Sequence, residues 1–257
     1  PGGGAAPMSP GMLAELLSAT GAVVLLPVLA AAVLAMLENR AIAGWLNIAA
    51  ATATFALACL LPWHLAAGTL LLVDPLAAHM AILTSFVAMT TAWFSLPYIA
   101  VEAAAGRIEP RRIRHYHALF QAFVAAMMMA LLANNLGVTW VAVEAATIAA
   151  VLVVGLPHTA EAVEASWKYF MLCGVGISLA FFGTIVLTLA VLPTVGAGPD
   201  SALAAMRWSA LPGAAAHAAA PLLNLAFVFL LVGSGTKAGL APLHAWLPDA
   251  HAEGPTP

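Results

Sequence analysis

Seven apolar runs fill most of this sequence, at 12–37, 41–63, 70–100, 116–133, 136–156, 167–192 and 221–247. A hydrocarbon core about 30 Å thick needs roughly 20 such residues in a helix. Backbone polar groups at that depth must be paired within the segment. Long continuous runs therefore predict an all-α, polytopic transmembrane bundle, because a membrane β-barrel alternates over short segments instead. Composition agrees. The chain is 63% hydrophobic and 7% charged, where a soluble domain carries about 25% charged residues. The run 70–100 is longer than a bilayer requires and predicts tilt or protrusion. The opening PGGGAAPMSPG (1–11) reads as a disordered leader, with Met8 or Met12 as candidate initiators. The turn-rich end EGPTP reads as an interruption within a longer protein.

Loop charge predicts orientation. Arg40, Arg107, Arg111, Arg112 and Arg114 fall in loops on one side, and Arg207 falls on the other. The excess of arginine marks the cytoplasmic side. This places the N-terminus outside and the basic loop 102–115 in the cytoplasm of a cell inner (plasma) membrane protein. Asp74-Pro75 reads as a helix cap followed by proline in the first turn. Trp45, Trp63, Trp140 and Trp208 stand near predicted span ends and read as interfacial anchors.

Charge inside the spans is the functional signal, since it is costly in lipid. Glu144 lies roughly 12 Å into its span, and Lys237 about 10 Å deeper. Lys237 precedes Gly239 and Pro242, which interrupt the seventh run, and unwound backbone at membrane depth needs protein or water around it. Both residues read as ion-handling groups. Lys168, second in its span, is a weaker candidate because it can snorkel to the interface. His244 is a relay candidate, as histidine titrates near neutrality. Asp249 and His251 are accessory candidates. So is His79, although packing is its plainer role. His64, His115, His117, His158 and His217 sit at interfaces or in loops and receive no role. Cys59 and Cys173 lie in apolar runs and show neither metal spacing nor a disulfide framework. No phosphate loop, dinucleotide fingerprint or nucleophilic triad is present. No metal or cofactor site is expected in the chain.

Three stretches carry a resemblance: LANNLGVTWVAVEAATIAAVLVVGL (132–156), EASWKYFMLCGVGISLAFFGT (164–184) and GTKAGLAPLHAWLPDAHAEGPTP (235–257). They resemble the antiporter-like membrane subunits shared by respiratory complex I, multisubunit cation/proton antiporters and group 4 hydrogenases. The form NNLG, WVAVEA, WKY and LHAWLPDAHAE most resembles the proton-conducting subunit of the hydrogenase-4 and formate hydrogenlyase type. The resemblance implies a fold of about fourteen helices with inverted five-helix repeats. Residues 12–114 would be an N-terminal three-helix region, and 115–257 a partial repeat ending within a broken seventh helix. It implies a proton path through Glu144 and Lys237, with Lys168 and His244 at matching positions. It also implies other membrane subunits, peripheral redox subunits and the lipid bilayer as partners, and no nucleic acid. Nickel–iron, iron–sulfur, flavin or quinone sites would belong to those partner subunits. A sodium/proton exchanger module and a purely structural subunit are the alternatives.

Overall fold

The computed structural model describes residues 10–106, 110–196, 198 and 201–257. Residues 1–9 of the expected leader and Arg107 of the basic loop lie outside the described residues. So do the side chains of Arg40, Arg111 and Arg114. Seven described helices are long and apolar enough to cross a membrane, as the seven runs predict. In chain order the helices are α1 (Pro10–Leu16), α2 (Ala19–Met36), α3 (Arg40–Ala58), α4 (Pro75–Ala104), α5 (Pro110–Leu132), α6 (Leu136–Val154) and α7 (Ala160–Val191). Two short helices follow, α8 (Ser201–Ala205) and α9 (Leu211–Ala215), then α10 (Ala220–Ala238) and α11 (Leu247–Glu253). A two-strand hairpin, β1 (Ala66–Ala67) and β2 (Leu72–Val73), sits between α3 and α4.

Polar residues at the run edges set the helix starts. Asn39 accepts from Ala41 and Ile42, and Asn135 accepts from Gly137 and Val138. Thr159 accepts from Ala162. Asp74 accepts from Ala77 N at 2.6 Å, with Pro75 in the first turn as expected.

Three boundaries in the N-terminal half differ from the sequence reading. The run 12–37 is broken at Leu17-Ser18, where Ser18 caps α2. The run 70–100 becomes helical only at Pro75, because Leu71–Val73 pair in the hairpin region. The loop 102–115 is mostly helix, with α4 reaching Ala104 and α5 starting at Pro110.

Glu15 of α1 ties the first two differences together. Its carboxylate accepts from Thr69 N at 2.7 Å, Thr69 Oγ1 at 2.8 Å, Leu70 N at 2.9 Å and Leu71 N at 3.1 Å. Gly68 leaves room for this contact, since a Cβ there would stand 2.6 Å from the Glu15 carboxyl. Asn134 holds the hairpin from the other side, donating to Gly68 O at 2.6 Å and to Ser209 Oγ at 3.0 Å.

The N-terminal core joins α2, α3, the hairpin, α4 and α5 through Val23, Val24, Ala58, Leu61, Ala78, Ala81, Val124, Met128 and Leu132. Buried residues are often alanine, so the helices approach closely, as membrane packing favours. Many large apolar side chains turn outward, among them Phe94 at 71% and Phe227 at 62% exposure. An outward apolar belt is what hydrocarbon requires, and this is a multi-pass membrane protein. Trp140 departs from the anchor reading. Its Nε1 donates to Ile177 O at 2.8 Å and its ring meets Phe181, so it clamps α6 to α7.

Candidate functional site

The seventh apolar run is not one rod. α10 ends just after Lys237, and Gly239 takes a left-handed φ of 75° that suits glycine. The end is a Schellman motif, with Leu240 N donating to Gly235 O and Gly239 N to Thr236 O. Leu240–Trp246 then run as turns until α11 begins at Leu247. The released Thr236 carbonyl also accepts from Trp246 Nε1 at 2.9 Å. Trp246 thus folds the unwound segment back over the end of α10.

That fold-back builds a pocket around Lys237. Its Nζ donates to the Tyr169 hydroxyl at 2.7 Å and lies 4.8 Å from the centre of the Tyr169 ring. The Tyr169 ring stacks on Trp246, centroids 4.5 Å apart and planes within 10°. Tyr169, Cys173, Trp246 and Ala250 form one buried cluster against Ala150, Val151 and Val154 of α6. The ammonium is therefore half-buried, held by a phenol and the face of an aromatic ring.

Glu144, on α6, is near enough for its charge to be felt by Lys237, Tyr169 and Cys173. Its Oε2 is buried and finds no hydrogen-bond partner within the chain. No ion pair joins Glu144 to Lys237 among the described residues. The two charges interact across a gap, with Tyr169 as the direct neighbour of the lysine.

α10 reaches this position by lying close against α7. A Cβ at Gly176 would stand 2.6 Å from Thr236 Cβ, and one at Gly233 would stand 2.7 Å from Ala180 Cβ. Glycine at the contact lets the backbones meet.

Other candidates are arranged differently. α7 begins at Ala160, so Lys168 lies two turns inside that helix and not second in its span. It pairs with Glu164 at 2.8 Å and Asp249 at 2.9 Å, all three exposed to some degree. Asp249 is therefore a lysine partner that fastens α11 to α7. His244 and His251 are exposed, as is His79, which does not take the packing role expected of it. His117 is a correction of the opposite kind. Expected at an interface or in a loop, it is 2% exposed within the bundle. Tyr169 and Trp246 were not singled out from sequence. The available signal was a hydroxyl-bearing aromatic in WKY, and a second aromatic just past the helix break.

The NADH:quinone oxidoreductase/Mrp antiporter transmembrane family matches residues 133–257. Over 237 residues the chain is 45% identical to a hydrogenase-4 component F homolog of Methylacidiphilum infernorum, covering 92% of this chain and 49% of that protein. A chain of the membrane-bound sulfane sulfur reductase, an archaeal respiratory membrane complex, superposes with a TM-score of 0.72 at 20% identity, covering 93% of this chain and 48% of that one. A chain of respiratory complex I from Thermus thermophilus superposes with a TM-score of 0.68 at 22% identity, over 93% and 48%. The chain thus spans about half the length of these relatives. Residues 133–257, which hold Glu144 and Lys237, thus form the antiporter-type transmembrane domain that NADH:quinone oxidoreductases and Mrp antiporters share.

Proposed function

We propose that this chain carries part of a proton path in a redox-driven membrane complex of the hydrogenase-4 or NADH:quinone oxidoreductase type, with Glu144 and Lys237 as the proton-handling pair. The observation that carries the reading is the setting of Lys237. A cation ends a helix that unwinds midway through its run, in a cluster reached by the field of an unpartnered carboxylate. Such a group is costly to keep in a membrane without a task. A carboxylate near a lysine favours the charged form of both. Withdrawing the negative charge would weaken the hold of Lys237 on its proton, and restoring it would draw a proton back. Electron transfer in partner subunits, which would hold the nickel–iron, iron–sulfur, flavin or quinone groups, would supply the drive. Other membrane subunits would pack on the outward faces. Lys168, paired to Asp249, would set the position of α11, and His244 would continue the path beyond the break. The chain would lie in the cell inner membrane, N-terminus outside and loop 102–115 in the cytoplasm.

The test uses the full-length protein in its complex, reconstituted in proteoliposomes. Glu144→Gln and Lys237→Ala are each expected to cut redox-coupled proton uptake by at least tenfold while electron transfer continues. Unchanged pumping in both variants would overturn the proposal. Pumping that requires sodium would move the reading to a sodium/proton exchanger.

A further inference from the structure

A second set of buried polar groups lies where α3, α4 and α5 meet. Asn47 and Gln121 are 0% exposed and His117 is 2% exposed. Gln121 Nε2 donates to the Asn47 backbone carbonyl at 3.1 Å and to Asn47 Oδ1 at 2.8 Å. This double bond fixes both amides. Turning the Gln121 amide would lose both contacts, and turning that of Asn47 would set two donors face to face. Three atoms are then left without a partner within the chain: Asn47 Nδ2, His117 Nδ1 and Gln121 Oε1.

The three belong together by position. His117 and Gln121 are one turn apart on α5, hence on one face. Asn47 is bonded to Gln121, and Gly44, one turn before Asn47, would carry a Cβ 3.9 Å from Nε2 of His117, which sets the imidazole ring beside α3 near Asn47. Ile48, Ala51 and Ala92 form a buried apolar cluster between α3 and α4, with Leu96 and Phe120 packed against it. Tyr116 closes one side, its ring edge-on to His117 at 5.3 Å and its hydroxyl bonded to Ser95 at 2.7 Å. Asn47 and His117 each lie about 10 Å from the start of their helices. Successive crossings put both starts on one side of the membrane.

Buried polar atoms are almost always paired, with protein or with water. The donor inventory decides the ligand. The set offers one amide donor, one carbonyl acceptor and an imidazole nitrogen that can serve as either. A cation would face the Asn47 donor, and an anion would face the Gln121 carbonyl. Water accepts from the first, donates to the second and bonds the third, and two to four partners are what an internal water uses.

We infer that Asn47, His117 and Gln121 form an internal water site in which His117 exchanges protons with the solvent. This site is independent of the proposed pair at Glu144 and Lys237, and it stands whether or not that pair conducts. Deuterium exchange at the histidine C2 position, read by mass spectrometry on the full-length protein in its complex, tests it directly. His117 is expected to exchange within about tenfold of exposed His115, and the joint Asn47→Leu, Gln121→Leu variant is expected to slow it by tenfold or more. No exchange at His117 while His115 exchanges overturns the inference. So does exchange unaltered in the variant. If the variant does not fold, a map of the wild-type complex that resolves water decides. Density within hydrogen-bond distance of the three atoms supports the site, and a dry contact there overturns it.

Discussion

Tyr169 is the side chain on which the lysine pocket turns, since its hydroxyl is the direct partner of Lys237 and its ring carries the stack with Trp246. Tyr169→Phe separates the two tasks. The stack survives and the hydrogen bond is lost. A bond to a charged group is worth about 1.5–3 kcal/mol, so stability is expected to fall by about that amount and proton uptake by the full-length complex roughly tenfold. Loss of stability with intact uptake would show that the phenol serves packing alone. Glu144 and Lys237 were legible in the sequence because ionisable residues stand out in apolar runs. Tyr169 was not, because an aromatic in an apolar run is unremarkable and its partner is 68 positions away. His117 was misread for a related reason. His117 stood at the edge of its apolar run, but α5 has already entered the bundle by Ile113. Glu15 belongs to the same scale. Burial pushes its carboxyl up, but the hydrogen bonds from Leu70, Thr69 and Leu71 outweigh this and hold it below the ordinary carboxylate range. A depressed carboxyl contributes stability that is present above its unfolded pKa and lost as pH falls through the folded one. Amide exchange at Leu70 and Leu71 is therefore expected to be slow near neutrality and to lose its protection under acid, after allowance for intrinsic rates. Glu15→Ala should raise it about tenfold at neutral pH, equivalent to ~1.4 kcal/mol.

Among the elements, the pair α7 and α10 sets where Lys237 lies, and the contact rests on which face each glycine occupies. Gly176 faces Thr236, whereas a Cβ on Gly174 would meet nothing within 4 Å. Two substitutions two residues apart on one helix should therefore differ in sign. Gly174→Ala is expected to leave proton uptake intact and to stabilise α7 by about 0.5–1 kcal/mol. Gly176→Val must push α10 away, at about 1–3 kcal/mol, and should break the bond from Lys237 to Tyr169 and lower uptake. Thermal unfolding of the two variants beside the uptake assay checks both signs, and equal behaviour would refute the glycine contact. Helix starts were readable at Asp74, where an acid precedes proline, and at the Asn39 and Asn135 turns, which stood at run edges. The break at Leu17-Ser18 and the hairpin at Leu71–Val73 were not. Both depend on Glu15 reaching across more than fifty positions to donors on the hairpin, and hydropathy carries no trace of such a contact.

At the scale of the whole molecule, the crossings alternate, so one loop's side determines every other. The turns after α2, α4, α6 and α10 share one face. The hairpin, the Asn134-Asn135 turn and the segment holding α8 and α9 share the other. Positive charge breaks the symmetry, because arginine is retained on the cytoplasmic side during insertion. Arg40 opens α3 and Arg112 lies near the start of α5, both on the first face, whereas Arg207 lies on the second. Single cysteines can read the outcome in intact cells. Ala105→Cys, exposed at the end of α4, and Gly198→Cys, where added atoms would meet nothing within 4 Å, stand on opposite faces. Each is placed in a background of Cys59→Ser and Cys173→Ala, which removes the native thiols. A membrane-impermeant maleimide is expected to label the second within minutes and the first only after the cells are opened. The reverse pattern would invert the topology and carry the unwound segment after Lys237 to the other side of the membrane. Labelling of both in intact cells would mean dual insertion, which the lopsided arginines oppose. The sidedness matters to the conduction reading itself, since the unwound segment after Lys237 lies on the arginine-rich face. Under the proposed conduction, a proton released there would emerge on that same face.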